Sequence, residues 1–162
     1  MILRDALEAD ADACASIYAP HVLHGVATFE ETPPDAEEFV RRWRKICAEG
    51  RPWIVAESEG RLAGYAYASA WNDRSAYRFT VQDSVYVDAA LHRRGIGRAL
   101  LLALIDRCAA NGMQRMLAAI GGGSAPSVAL HAATGFTTIG RAEKIGFKFG
   151  DWRDVVYMQR AL

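Results

Sequence analysis

Between Thr80 and Asn111 the chain passes from one hydrophobic period to another with no linker, and this junction restricts the fold more than any other stretch. Thr80-Val81-Gln82-Asp83-Ser84-Val85-Tyr86-Val87-Asp88 alternates as a strand does. Ile96, Leu100, Leu104 and Cys108 recur at four-residue steps, the buried stripe of a helix from about Gly95 to Asn111 closed by Gly112. A strand that turns so soon into a helix must pack that helix back onto its own sheet, which predicts an α/β architecture. The turn itself reads His92-Arg93-Arg94-Gly95-Ile96-Gly97-Arg98. Its glycines allow close approach of the backbone, and the free N–H groups and dipole of the first helical turn favour an anion. Arg93, Arg94 and Arg98 add full charges with forked donors. There is no third glycine for a dinucleotide turn and no Gly-Lys-Ser/Thr for a P-loop, so the segment is an anion cradle of neither common nucleotide type.

The remaining elements follow from period and punctuation. Met1 to Arg4 is a short strand. The carboxylates of Glu8 to Asp12 suit a helix start, and that helix runs to about His24 and ends at Gly25. His21 and His24, late in this helix, read as structural. Thr28 to Pro34 is a loop stiffened by two prolines, and a second helix from about Asp35 turns Phe39, Val40, Trp43 and Ile46 inward before Gly50. Trp53 to Glu57 and Leu62 to Ala68 flank Glu59-Gly60-Arg61 as a hairpin. Met116 to Ile120 is an apolar run of the kind buried in a sheet, Pro126 to Thr134 a shorter helix, and Phe136 to Arg160 two further strands. No repeat or linker divides the chain, which predicts one domain over residues 1–162.

Composition narrows the function. Hydrophobic residues make up 51% and charged residues 23%, enough to build a core and unlike a disordered chain. Cys14, Cys47 and Cys108 are odd in number and far apart, which predicts reduced thiols and neither a disulfide framework nor a metal site. The absence of a long apolar run or leader predicts a cytoplasmic protein without a membrane partner. Nineteen basic and nineteen acidic side chains cancel, which argues against a nucleic-acid partner. The balance is uneven: residues 1–40 hold nine acidic and one basic residue, so the rest hold ten and eighteen, and the cationic excess surrounds the Gly95 loop. That local excess suits a single polyphosphate ligand.

The Gly95 segment resembles motif A of the GCN5-related N-acetyltransferases (GNAT), in which Gln/Arg-x-x-Gly-x-Gly/Ala binds the pyrophosphate of acetyl-CoA; His92 departs from the first position. Ala27-Thr28-Phe29-Glu30, Trp53 to Glu57, Ala66-Tyr67-Ala68, Tyr77 to Val81, Ser127-Val128-Ala129-Leu130-His131 and Gly146 to Val155 are similar to the phosphinothricin and methionine sulfoximine acetyltransferase branch, in order and across nearly the whole chain. The resemblance implies a GNAT fold. That is a single mixed, mostly antiparallel sheet, splayed between two parallel strands and flanked by about four helices. It further implies acetyl-CoA as cofactor, a small-molecule amine substrate and a homodimer. The reaction would be direct attack by the α-amine of a small amino-acid analogue in a ternary complex. Acetylation of a protein N-terminus or polyamine, and a non-catalytic acyl-CoA sensor, are the competing readings.

The resemblance also assigns roles. Backbone groups of Val85, Tyr86 and Val87 would pair with the pantetheine arm as an added strand. Arg93, Arg94, Gly95, Ile96, Gly97 and Arg98 would hold the pyrophosphate, and Ser124, where relatives often have asparagine, would contact the cofactor. His131 would protonate the coenzyme A thiolate. Gln82 stands where the branch usually has a glutamate base, so Gln82 would orient a water or the amine and Asp83 or His131 would relay the proton. Alternation puts Asp83 across the sheet from Gln82 unless a β-bulge realigns it. Arg74 and Tyr77, with Phe29, Glu30, Asn72, Asp73, Gln82, Asp83 and Ser84, would surround the acceptor, with Arg74 clamping its carboxylate.

Overall fold

The computed structural model describes residues 1–162, and its elements come in the order the periodicity predicts. Strand β1 (Ile2–Asp5), helix α1 (Ala11–His24) and helix α2 (Ala36–Ala48) precede three strands, β2 (Trp53–Ser58), β3 (Arg61–Ala70) and β4 (Thr80–Val87). Helix α3 (Ile96–Ala110), β5 (Arg115–Gly121), α4 (Ala125–Ala132), β6 (Thr137–Lys148) and β7 (Asp151–Ala161) follow. All seven strands join one sheet in the order β1-β2-β3-β4-β5-β7-β6, antiparallel throughout except for the β4–β5 pair. No helix is long and apolar enough to cross a membrane.

Strand alternation sorts the core into two layers. Ile54, Ala56, Ala66, Ala68 and Val81 face Leu100, Leu101, Leu104 and Cys108 of α3, while Trp53, Val55 and Tyr65 face Cys14, Ile17, Tyr18 and Val22 of α1 and Phe39 and Ile46 of α2. Because both faces are covered, β2 reads as an unbroken apolar run. Leu104 is fully buried, and its truncation to alanine costs about 2–5 kcal/mol.

One helix start differs from expectation. Glu8–Asp10 forms a 3-10 turn, and the α-helix begins at Ala11. Asp10 does not serve the helix: its carboxylate accepts from Arg4 at 2.7 and 2.8 Å and from the Leu7 N–H at 2.7 Å, tying the turn to β1. Asp35 does cap α2, accepting the Glu38 N–H at 2.8 Å.

The sheet opens where the site will lie. The parallel ladder consists of Thr80–Arg115, Val81–Met116 and Gln82–Leu117. Beyond Gln82, β4 runs on to Val87 paired with β3 alone, and β5 runs on to Gly121 paired with β7. The two parallel strands therefore diverge, and the far edge of β4 is left unpaired.

Candidate active site

A cleft of about 360 Å³ occupies this divergence and is walled from both faces of the sheet. Tyr18, Thr28, Glu30, Arg42, Tyr67 and Gln82 line one side; Asp83, Val85, Ser127, Leu130 and His131 line the other. No cysteine lines it. All three cysteines are free, with Cys47 exposed and the other two buried; burial pushes the Cys14 and Cys108 thiols up to about 12.

Strand β4 pairs with β3 without a bulge, so Gln82 and Asp83 project to opposite faces. No realignment of Asp83 occurs, and none is needed for it to meet His131. The imidazole, on the last turn of α4, lies with its Nε2 2.9 Å from Asp83 Oδ2 and its Nδ1 2.7 Å from the Ser127 carbonyl oxygen. A carbonyl and a carboxylate only accept, so both ring nitrogens donate and the ring is an imidazolium. Burial alone would pull the His131 pKa down; the hydrogen bond and charge of Asp83, with help from the Ser127 carbonyl, outweigh it, and the pKa is raised above 6.5. His131 and Asp83 are both buried, and Asp83 Oδ1, also buried, has no partner in the chain. A buried acid in a cleft whose pKa is raised by a carboxylate partner is suited to donate a proton.

The unpaired edge of β4 has a definite polarity. Asp88 N–H donates to Ala63 O, and with the Gly64–Val87 register this alternation commits the backbone of Tyr86 to β3 and turns that of Val85 and Val87 into the gap. The backbone groups of Tyr86 therefore bond within the sheet, and its ring packs on Tyr18 at 4.7 Å between centroids. The Val87 carbonyl is already occupied: His21 and His92 both donate an Nε2–H to it, at 3.3 and 3.1 Å. Val85 N–H and C=O and Val87 N–H remain for an extended ligand. His92, at the variant position of the loop, thus turns back onto the strand.

The loop beyond fits an anion. Arg93 and Gly95 take positive φ, 61° and 78°, and α3 starts at Ile96. Its first helix-closing bond is Ala99 N–H to Gly95 O, so the N–H groups of Ile96, Gly97 and Arg98 have no helical acceptor. The Ile96 side chain is buried in the core, so only its backbone can serve a ligand. A Cβ at Gly97 would meet nothing closer than 3.5 Å, so packing does not require glycine there, whereas close approach of a ligand would. Arg93 and Arg98 make no ion pair, and Arg94 approaches Glu59 only at 3.9 Å. These free cations and N–H groups match a pyrophosphate. Ser124, the residue before α4, makes no capping bond and does not line the cleft.

The acceptor residues divide. Gln82, Asp83, Ser84 and Glu30 line the cleft, and Phe29 packs behind it against Gly121 and Gly146. Asn72, Asp73, Arg74 and Tyr77 do not: they form an exposed loop before β4, held by its own turn, with Asn72 Oδ1 accepting the Arg74 N–H at 3.0 Å. The cation in the cleft is Arg42, which donates to Glu30 at 2.5 and 3.2 Å and to Glu38 at 2.7 Å. Burial pushes the Glu30 carboxyl up, the Arg42 guanidinium pulls it further down, and Glu30 remains ionised. Arg42 was hidden in the sequence among the arginines of a charged helix; its one signal is Glu38, four residues earlier. No cluster of three or more metal-ligating side chains occurs.

A divergent parallel pair, an unpaired strand edge and an arginine-flanked helix start together define an acyltransferase of the GNAT type, and the chain belongs to that family: the model of the acetyltransferase (GNAT) family matches residues 20–136. Among its relatives, a phosphinothricin N-acetyltransferase from Alcaligenes faecalis is 48% identical over 94% of this chain and 78% of its own length. An L-methionine sulfoximine/L-methionine sulfone acetyltransferase from Salmonella typhimurium is 36% identical over 100% of this chain and 95% of its own. The crystal structure of a phosphinothricin acetyltransferase from Sinorhizobium meliloti in complex with AcCoA superposes with a TM-score of 0.97, at 48% identity, over 99% of this chain and 88% of that one.

Proposed function

We propose that residues 1–162 form one acetyltransferase domain that moves the acetyl group of acetyl-CoA to the α-amine of a small amino-acid analogue of the phosphinothricin or methionine sulfoximine type. The observation that carries this reading is the buried His131–Asp83 pair inside the divergence of β4 and β5. Acetyl-CoA brings an activated thioester and needs a proton on its leaving sulfur. Val85 and Val87 hold the extended arm through their free backbone groups, and the first N–H groups of α3 with Arg93 and Arg98 hold the pyrophosphate. The proton comes from the His131–Asp83 pair: Asp83 Oδ2 takes the Nε2–H that it already accepts, and a proton passes on to the sulfur from the carboxyl group, whose Oδ1 has no other partner.

The amine enters from the side of Glu30, Arg42 and Gln82. Gln82 cannot take a proton, but it can orient the nitrogen. An α-amine of pKa roughly 8 is about a tenth neutral at pH 7, so positioning supplies much of what a base would. Asp83 Oδ1 is the unpartnered acceptor nearest in kind to a proton relay. With no cysteine in the cleft to carry an acyl group, attack is direct.

The cleft pairs its acids with Arg42 and His131, which favours a small zwitterion over a polyamine or protein N-terminus, both of which call for an open acidic groove. A cytoplasmic homodimer completes the reading. Phe147, Phe149 and Trp152 on the β6–β7 hairpin are each more than half exposed, as an unmatched contact surface would be. A carboxylate clamp by Arg74 then requires the second copy, because the loop does not reach the cleft of its own chain. The test is thiol release from acetyl-CoA with methionine sulfoximine, phosphinothricin, spermidine and a peptide N-terminus, alongside light scattering. Release with the first two alone supports the reading; release only with the others, or binding without release, overturns it.

A further inference from the structure

Lys148 is the last residue of β6, and its side chain is 1% exposed. Its ammonium has one hydrogen-bonding partner, the Thr28 carbonyl oxygen at 2.8 Å. Burying a cation is costly unless something compensates. Here the compensation is the Phe149 ring, 5.0 Å from Nζ to centroid, and the through-space pull of Glu31 and Glu30; burial still leaves the Lys148 pKa below 10.5. Nothing in acetyl transfer uses this amine, and it does not line the cleft.

What it grips does line the cleft. Thr28 is part of the wall on the amine's side, and its Oγ1 lies 2.6 Å from the Tyr18 hydroxyl and accepts the Glu30 N–H at 3.2 Å. A second contact runs beside the first. Phe29 lies so close over Gly146 that a Cβ there would stand 2.3 Å from its ring. Gly146 and Lys148 are two apart on one strand and so share a face, and together they hold the consecutive residues Phe29 and Thr28. The loop that shapes one wall is thus fastened to a hairpin 120 residues further along.

We infer that Lys148 is a positioning residue for the acceptor subsite, fixing the Thr28–Glu30 wall through its single hydrogen bond so that the β6–β7 hairpin helps decide which amines fit. The inference rests on the reading of this cleft as an amine acetyltransferase site. Lys148→Met keeps the length and removes the donor; Lys148→Gln keeps a shorter, neutral donor. For each, acceptor KM with methionine sulfoximine, acetyl-CoA Kd and amide hydrogen exchange of residues 27–31 are measured against wild type. The methionine variant is expected to raise acceptor KM about tenfold, the order for one charge-assisted hydrogen bond, with acetyl-CoA Kd held within about twofold. Its loop amides exchange faster, and the glutamine variant falls between the two. Unchanged KM and exchange, or loss of acetyl-CoA affinity in step with acceptor affinity, overturns the inference. Should the methionine variant not fold, the glutamine variant is read by the same criteria. If wild type acetylates no amine, the proposed function fails, while loop exchange and acetyl-CoA Kd still decide the role of Lys148.

Discussion

Replacing Asp83 with asparagine changes one charge and almost no volume at the centre of the His131 hydrogen bonds. In wild type both ring nitrogens donate, at 2.7 and 2.9 Å, and the Asp83 carboxylate raises the His131 pKa, which favours the charged ring. With asparagine, the side-chain amide can still donate to a neutral Nε2, so the fold retains a hydrogen bond. The loss is the difference between a charge-assisted and a neutral bond, about 1 kcal/mol, or about 2–4 °C in Tm for a chain of this size. The chemical loss is larger. Without the carboxylate only the Ser127 carbonyl opposes the effect of burial, so the His131 pKa falls and the proton donor is depleted at neutral pH. General acid catalysis is worth about 100- to 10,000-fold, and kcat near pH 7 is expected to fall by about 100-fold. The pH profile gives the sign. A raised pKa means the acid is fully present below the ordinary imidazole value of about 6.5 and is lost as pH rises through the folded value. The alkaline limb of kcat therefore moves to lower pH in the variant, and it reports the pair and not one residue. Steady-state thiol release between pH 5.5 and 9.5 measures both effects. An unmoved limb with kcat within about threefold of wild type would refute the assignment of His131 as the acid.

Gln82→Glu restores a carboxylate on the amine's side. It is expected to raise kcat/KM near pH 7 by up to about tenfold, converging with wild type above the amine pKa, because about a tenth of the amine is neutral at pH 7; activity appearing only in the variant would mark the wild-type site as disabled. Gly146→Ala places a methyl 2.3 Å from the Phe29 ring and must displace it. A stability loss of about 1–3 kcal/mol by chemical denaturation and a raised acceptor KM are expected. The double variant Arg93→Ala/Arg98→Ala removes two unpaired cations from the start of α3. Acetyl-CoA KM is expected to rise about tenfold at low salt, with acceptor KM unchanged and the effect shrinking at high ionic strength.

Much of this is legible in the sequence. The four-residue steps of Ile96, Leu100, Leu104 and Cys108 mark the face of α3 that the core takes up, because a buried helix face must be apolar at that spacing. Period-2 alternation places Asp83 opposite Gln82, and the bulge-free ladder follows it. Spacing does not show that the opposite face is where His131 waits, since 48 residues and a helix intervene. Nor does spacing reveal which backbone groups of β4 are free: that depends on the phase of the β3–β4 ladder, which is why Tyr86 drops out and Val85 stays. Arg42 and Lys148 have the composition of surface residues and gain their roles only from the loop packed over them. The Arg74 loop shows the converse, a polar segment that similarity draws toward the acceptor while the single chain leaves it exposed.

Acetyl transfer to an α-amine distinguishes this cleft from one that merely binds acetyl-CoA. The most direct measurement follows free thiol and the nitrogen-bound acetyl product together, by mass spectrometry, when the protein is mixed with acetyl-CoA and methionine sulfoximine. Equal amounts of thiol and N-acetyl product, both lost in His131→Ala while acetyl-CoA still binds, are predicted. Acetyl-CoA binding with no thiol released for any amine would show that the cleft binds the cofactor without transferring its acetyl group.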